Sequence, residues 1–369
     1  MKKNNHLLLT DNELMATIIG SIMGISILSL PNAAVSVAKQ DGWIATIIGS
    51  LYPLYIIFMA AIIIKKNPDT NIIALSKQYL GKVFGNILNF LFMAQFLYYA
   101  VMVVSADSNM LIVYSVWFMT PEKVILLFVA MVIYGSYRGI KVLARINVIA
   151  LVGFCLMMLP TLVAFKNGSV LNVEPVFQTN WKDLTTASID TSFVYANMEL
   201  ILVIHPYVKN KQRIIKTSLL STLIIVFFYT WSVFTAVFYL GPDIVPKTLW
   251  PFYFVCEGIR IPVINNFRFI IMLIWPLFLY RTIATEYYMS TKIMHDITNV
   301  NYKKWCLILS PLLLVLPLFI KSELLRRYFT DLITPGVTIF NLAYVTLIAL
   351  LVAVKSRKSS NPAPLEETI

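Results

Sequence analysis

The chain has 369 residues, of which 59% are hydrophobic and only 13% charged. Soluble domains usually carry about 25% charged residues, so a water-soluble globular protein is excluded. The formal charge of +12 sits in short Lys/Arg clusters between apolar stretches, which fits membrane orientation signals and argues against a nucleic-acid partner.

Uncharged windows long enough to cross a hydrocarbon core of about 30 Å recur along the whole length. The opening "MKKNNHLLLTDNELM" is polar and lacks a cleavable signal, so residues 1–16 read as a cytoplasmic N-terminal segment. Ten spans follow: Thr17–Ala38, Ile44–Ile64, Asn86–Val104, Val124–Tyr137, Ile146–Phe165, Ile189–His205, Leu219–Leu240, Phe269–Thr285, Trp305–Ile320 and Pro335–Val354. Between spans two and three, "NIIALSKQYLGKVFGN" reads as a short amphipathic helix on the cytoplasmic face. Between Val83 and Pro121 the only charge is Asp107, which predicts one long tilted helix and places that aspartate near the outer surface. Pro121 is a good first helical residue for span four.

Two outer loops are long. Residues 166–188 precede span six, and Asp190 is expected to open that span and favour its positive helix end. Residues 241–266 mix Trp, Tyr, Phe and Pro and read either as an interfacial hairpin or short helix or as a plain connection. The tail 355–369 is expected to be disordered. With the N-terminus inside, 20 of the 30 basic residues fall on inner segments, which supports cytoplasmic termini and an even number of spans in a bacterial plasma membrane. Cys155, Cys256 and Cys306 show no pairing or metal-ligand spacing, and the three histidines are scattered. No phosphate-binding loop or hydrolase motif is present, so neither catalysis nor a cofactor is expected.

Two spans carry residues that a plain membrane helix avoids. Span one contains "GSIMGISILSLP", with Gly20, Ser21, Gly24, Ser26 and Pro31. Gly20 and Gly24 share a face, which serves either close helix packing or a local unwinding toward a ligand. Span six reads "SIDTSFVYANMELILVIHP", and Glu199 precedes Pro206 by the same seven residues that separate Gly24 from Pro31. Ten spans divide into two inverted halves of five, about 17–165 and 189–354, in which spans one and six are partners. That pairing favours a site. Glu199 has no basic residue in its own span, so it is protonated, paired across helices, or bound to a ligand, with a hydrogen-bonded neutral carboxyl as the structural alternative. His205 and Arg281 fall at span ends, where interfacial anchoring suffices, and Arg281 with Glu286 reads as a gate pair or, preferred, as a surface accident of i,i+5 spacing.

"IIGSIMGISILSLPNAAV", "DGWIATII", "TPEKVI", "SFVYANMELILVIHPYVKNKQ" and "TLWP" follow one another in an order that resembles the spore germination permease family, the B subunits of nutrient germinant receptors. The resemblance covers essentially the full chain. It implies an all-α, ten-helix fold of the amino acid–polyamine–organocation superfamily (LeuT-like), with five-plus-five inverted repeats and broken helices one and six. The superfamily's Gly-x-Gly in helix one corresponds to Gly24-Ile25-Ser26, so the second glycine is replaced. Carried over, the pocket uses Gly20, Ser21, Gly24 and Ser26, then Tyr195, Ala196 and Asn197, with Tyr99, Ala100 and Thr282 from spans three and eight. Glu199 takes a gating or ion- or proton-coupling role. The implied function is sensing of a small-molecule nutrient, an amino acid foremost, with a receptor A subunit and a lipoprotein C subunit as partners in the spore inner membrane. The alternative is an amino-acid or amine permease coupled to H⁺ or Na⁺.

Overall fold

Inside a bilayer no water is present to satisfy peptide groups, and helix is the arrangement that pairs them within one segment. The computed structural model describes residues 8–257 and 267–359, and these are almost wholly helical, with one isolated strand-like bridge between Leu9 and Val208. The first seven residues, the part of the 241–266 loop from 258 to 266, and the tail from 360 onward lie outside the described residues.

Span one is two helices, α1 (Asp11–Ile22) and α2 (Ser26–Ala38); α3 (Gly42–Gly49) and α4 (Leu51–Lys66) follow as span two. The expected short helix on the inner face is α5 (Ile72–Leu80), and the long third span is α6 (Lys82–Tyr114), unbroken over 33 residues. Next come α7 (Pro121–Arg138), which starts at the proline, α8 (Ile140–Met158) and the short α9 (Ala164–Asn167). Span six is α10 (Trp181–Ser192) and α11 (Ile201–Ile204), joined through 3-10 turns. The chain continues as α12 (Ile214–Leu240), α13 (Pro251–Glu257), α14 (Phe267–Thr298), α15 (Tyr302–Ile308), α16 (Ser310–Val315) and α17 (Glu323–Ser359).

Among the described residues, six runs are long and apolar enough to cross a membrane: Ser26–Lys66, Lys82–Val113, Ile140–Asn167, Lys211–Leu240, Tyr302–Phe319 and Glu323–Val354. The bent pair Trp181–Tyr195 and Met198–Tyr207 adds a seventh. The first run merges α2 with span two, and α14 carries Arg281, Glu286 and Lys292, all turned inward rather than toward lipid. Outward faces are apolar instead: Leu51, Phe58, Leu126, Ile149, Leu223 and Leu350 are each more than half exposed. In water such a surface drives aggregation; against acyl chains it costs nothing.

Local signals set the helix ends. Thr10 and Glu13 form a capping box at α1, with Thr10 N donating to Glu13 Oε2 at 2.8 Å, and Lys141 donates to the same carboxylate oxygen at 2.5 Å. Burial pushes the Glu13 carboxyl up, but the bonds from Lys141 and Thr10 outweigh it and hold the group below its ordinary range. Lys77 of α5 donates to the carbonyls of Asp296 and Ile297 at 2.5 and 3.0 Å, satisfying the C-terminal end of α14 where a cation is favoured.

Helix α10 begins at Trp181, capped by Asn180, eight residues before the expected start of span six. Asp190 therefore stands near the end of α10, and Asn180 and Asp183 occupy the positive helix end instead. The loop before it is shorter than expected and is pinned, because Asp41 accepts from Phe177 N and Thr179 N at 2.8 and 2.9 Å. Helix α13 is the short helix that the 241–266 stretch admitted, and it packs inward with Phe252, Tyr253, Val255 and Cys256 buried.

Helices α3 and α10 approach most closely at Gly49. A Cβ there would meet Thr191 Oγ1 at 2.6 Å and the Ser192 backbone nitrogen at 2.9 Å. Gly49→Val is expected to cost about 1–3 kcal/mol by overpacking. Thermal unfolding of the detergent-purified protein should show a lowered midpoint, with Gly336→Ala as control because nothing lies within 4 Å of that position.

Candidate functional site

Helix α1 stops at Ile22, and Met23 (φ −82°, ψ 82°) turns the chain before α2 resumes at Ser26. Carbonyls freed in an apolar interior need donors. Thr282 Oγ1 of α14 donates to Gly20 O at 2.7 Å, Tyr229 Oη of α12 donates to Ile22 O at 2.9 Å, and Arg281 Nη2 approaches Met23 O at 3.5 Å. Ser232 Oγ then reaches Ile27 O at 2.9 Å. Two helices from the second half of the chain thus supply the bonds that the first lacks.

The second break lies at Ala196 (ψ 160°) and Asn197, whose φ of 80° is left-handed. Asparagine tolerates that conformation better than most side chains. The two parts of the span bend by 40°. Tyr229 meets this break too, since its hydroxyl lies 3.2 Å from Val194 O. Its proton is shared between two carbonyls, so Ser26, 3.0 Å away, is the donor in their mutual bond. One phenol therefore joins both breaks.

A cavity of about 470 Å³ opens beside them. Of the predicted site residues, Ser21, Gly24, Ser26, Tyr99, Ala196, Asn197 and Thr282 line it. Gly20, Ala100, Tyr195 and Glu199 do not. Gly20 is a packing glycine: a Cβ there would stand 1.8 Å from Asn147 Oδ1 and 2.7 Å from Arg281 Nη1. Gly24 borders the cavity and faces Thr282 Cγ2 at 3.2 Å. The two readings of that glycine pair thus divide between its members. Ala100 is buried in the core, and Tyr195 donates to Thr46 O at 2.9 Å, holding span six against α3.

Glu199 is fully buried behind the wall, where Tyr52 of α4 donates to its Oε1, Asn341 of α17 lies 3.5 Å from that phenol, and Oε2 has no partner. Glu286 was passed over as a surface accident. It is fully buried, lines the cavity, and accepts from Ser21 through Oε1 while Oε2 is unpartnered. Arg281 is likewise not an interfacial anchor: α14 runs on to Thr298, which puts residue 281 mid-helix and fully buried. Asp107, expected near solvent, is 1% exposed, because α6 extends well past it and packs that face inward. Asp190, Arg326, Arg327 and Asp331 supply charge to the cavity wall, and sequence spacing had pointed to none of them as ligand contacts. Tyr52 and Tyr229 were equally silent, being ordinary tyrosines in apolar helices. Among the described residues no group of three or more His, Cys, Asp or Glu could hold a metal.

Apolar outward faces, inward-turned charges and two broken helices around a cavity define a multi-pass membrane protein with a transporter-type fold. The solved structure of MhsT in complex with L-phenylalanine, a LeuT-fold protein, is similar in fold at a TM-score of 0.64, covering 93% of this chain and 88% of that one at 15% identity. A sequence profile described as spore germination protein matches residues 8–324, and the chain belongs to that family. Similar relatives include the spore germination protein GerQB of Bacillus cereus, 21% identical over 70% of this chain and 71% of that protein. Spore germination protein B2 of Bacillus subtilis (strain 168) is 21% identical over 74% and 75% of the two chains, and YndE of the same strain is 20% identical over 95% and 97%.

Tyr229→Phe should leave the Ile22 and Val194 carbonyls without their side-chain donor while preserving shape. Each buried acceptor stranded this way costs about 1–3 kcal/mol. A lowered thermal midpoint of the purified protein is the expected result, and a midpoint equal to wild type would remove Tyr229 from its bridging role.

Proposed function

We propose that this protein is the nutrient-sensing membrane subunit of a spore germinant receptor, with the cavity between the two helix breaks as its ligand site. The observation that carries this reading is the cavity itself: in a spore germination protein, the breaks in spans one and six both border one cavity. The arrangement is that of ten spans in two inverted halves, with both termini cytoplasmic in the spore inner membrane.

An amino acid is the nutrient that fits best. Helix α2 starts at the cavity without a side-chain cap, and although Leu28 N bonds to Ile25 O, the positive helix end at Ser26 and Ile27 favours an anionic group such as a carboxylate. The fold relative MhsT holds L-phenylalanine, which supports the same class. Glu199 is the coupling group. Its bond to Tyr52 links the span-six break to α4, so a ligand that shifts the break changes which state that bond stabilises. The receptor A subunit and the lipoprotein C subunit read out the shift.

Two buried carboxylates beside the cavity also favour a second reading, a proton-coupled amino-acid or amine permease. Sodium coupling fits less well, since Arg281 already offers a permanent positive charge to the Met23 carbonyl that a cation would use.

Spores lacking the gene should lose germination to one nutrient while vegetative uptake of that labelled nutrient is normal; lost uptake with intact germination would select the permease. Glu199→Gln should raise the nutrient concentration for half-maximal germination about tenfold, the worth of one charge-assisted bond, at unchanged protein level. Gly24→Leu crowds Thr282 and the cavity wall they share, and should abolish the response at unchanged protein level; a normal response would sink the ligand site.

A further inference from the structure

Three side chains from three elements line the cavity with a buried polar atom that has no partner: Glu286 Oε2 of α14, Asn197 Oδ1 at the span-six break, and Tyr99 Oη of α6. Glu286 is fully buried and Asn197 is 6% exposed. Native proteins rarely leave buried polar atoms unpaired, and three around one cavity mark groups that await a ligand. Asn197 Oδ1 can only accept a hydrogen bond, an ionised Glu286 likewise, and the phenol can accept as well. Ser21 already supplies the donor for the other Glu286 oxygen, so the free one faces an open need.

The charges point the same way. Glu199 stands within electrostatic reach of both Glu286 and Tyr99. None of the nearby cations is bonded to Glu286. Arg281 touches only the Met23 carbonyl, at 3.5 Å, with Nε and Nη1 unpartnered. Arg326 is held by Glu323 at 2.8 and 2.6 Å, and Arg327 reaches the same carboxylate at 3.1 Å and Asn32 at 3.1 Å. Asp190 and Asp331 add further negative charge to the wall. An uncharged hydroxyl would satisfy single acceptors yet leave the buried carboxylate without a countercharge.

We propose that Glu286, Asn197 and Tyr99 form a subsite for a protonated nitrogen, so that the ligand is a small amine or amino acid and not an uncharged nutrient. Resting on the cavity as ligand site, this assigns one end of the ligand: its N–H groups donate to the three acceptors while its remainder extends along the cavity.

The test uses the full-length protein in detergent and reads ligand-induced shifts in thermal midpoint. Matched probes are L-alanine against L-lactate and L-leucine against its 2-hydroxy acid, with L-phenylalanine, ethylamine, glucose, inosine, and NaCl or KCl alone. Amine-bearing probes should protect and their hydroxy counterparts should not. Glu286→Gln should weaken the amine probes about tenfold or more, with Glu286→Asp retaining part of the affinity. Should Glu286→Gln fail to fold, Asn197→Ala and Tyr99→Phe carry the same expectation. Equal protection by a hydroxy acid, protection by glucose, inosine or salt alone, no protection by any amine, or unchanged amine affinity in the variants would overturn the subsite. Gly24→Leu separates the two levels: binding lost there but unaffected in Glu286→Gln removes only the ammonium assignment, whereas binding intact in Gly24→Leu removes the cavity reading itself.

Discussion

Interrupting a helix inside a membrane strands carbonyl oxygens in a medium that offers no replacement partner, and this constraint organises the molecule. Tyr229 answers it at both breaks with a single hydroxyl, reaching Ile22 O and Val194 O. Thr282 and Arg281 answer it at Gly20 and Met23. The irregular backbone can therefore exist only where α12 and α14 pack against α1 and where α12 reaches the turn that follows α10. Because those donors hold the backs of the breaks, the other sides are free to face the cavity. The site is a by-product of where backbone pairing had to be rescued.

The same economy governs the buried charges. Glu199, Glu286, Arg281 and Asp107 are all sequestered from lipid, yet they are not merged into one neutralising cluster. Tyr52 donates to Glu199 behind the cavity wall, and Ser21 donates to one oxygen of Glu286 at the cavity, whose second oxygen is left open. A fully satisfied network would be more stable and less responsive. Half-satisfied groups stay sensitive to an incoming charge, which is the property a two-state sensor requires. At the far end of the cavity the opposite holds: Glu323, Arg326, Arg327 and Asn32 are bonded together and tie α17 to α2.

Much of the architecture was legible because it is written in local pattern. Gly20 to Pro31 and Ser192 to Pro206 announce their breaks by composition, and the family resemblance places Ser21, Gly24, Ser26, Ala196 and Asn197 from those breaks in the cavity wall. The long α6, the Pro121 start of α7 and the short α5 also depend only on charge spacing and turn residues. Where reasoning from the sequence went astray, a helix was longer than its apolar stretch. Helix α14 continues past Thr285 to Thr298, which moved Arg281 and Glu286 from an interface to the interior, and α10 starts at Trp181, which carried Asp190 from a helix start to the cavity.

The sequence by itself determined that this is a multi-spanning membrane protein with two weakened helices and a costly carboxylate, because hydropathy, periodicity and glycine content act within one segment. It took the packed helices to show that Tyr229 bridges both breaks, that Gly20 packs while Gly24 lines a cavity, and that Glu286 rather than Glu199 borders that cavity. Those outcomes depend on the axial register and rotation of one helix against another. Many small contacts across distant segments set them, and no single stretch of chain encodes them.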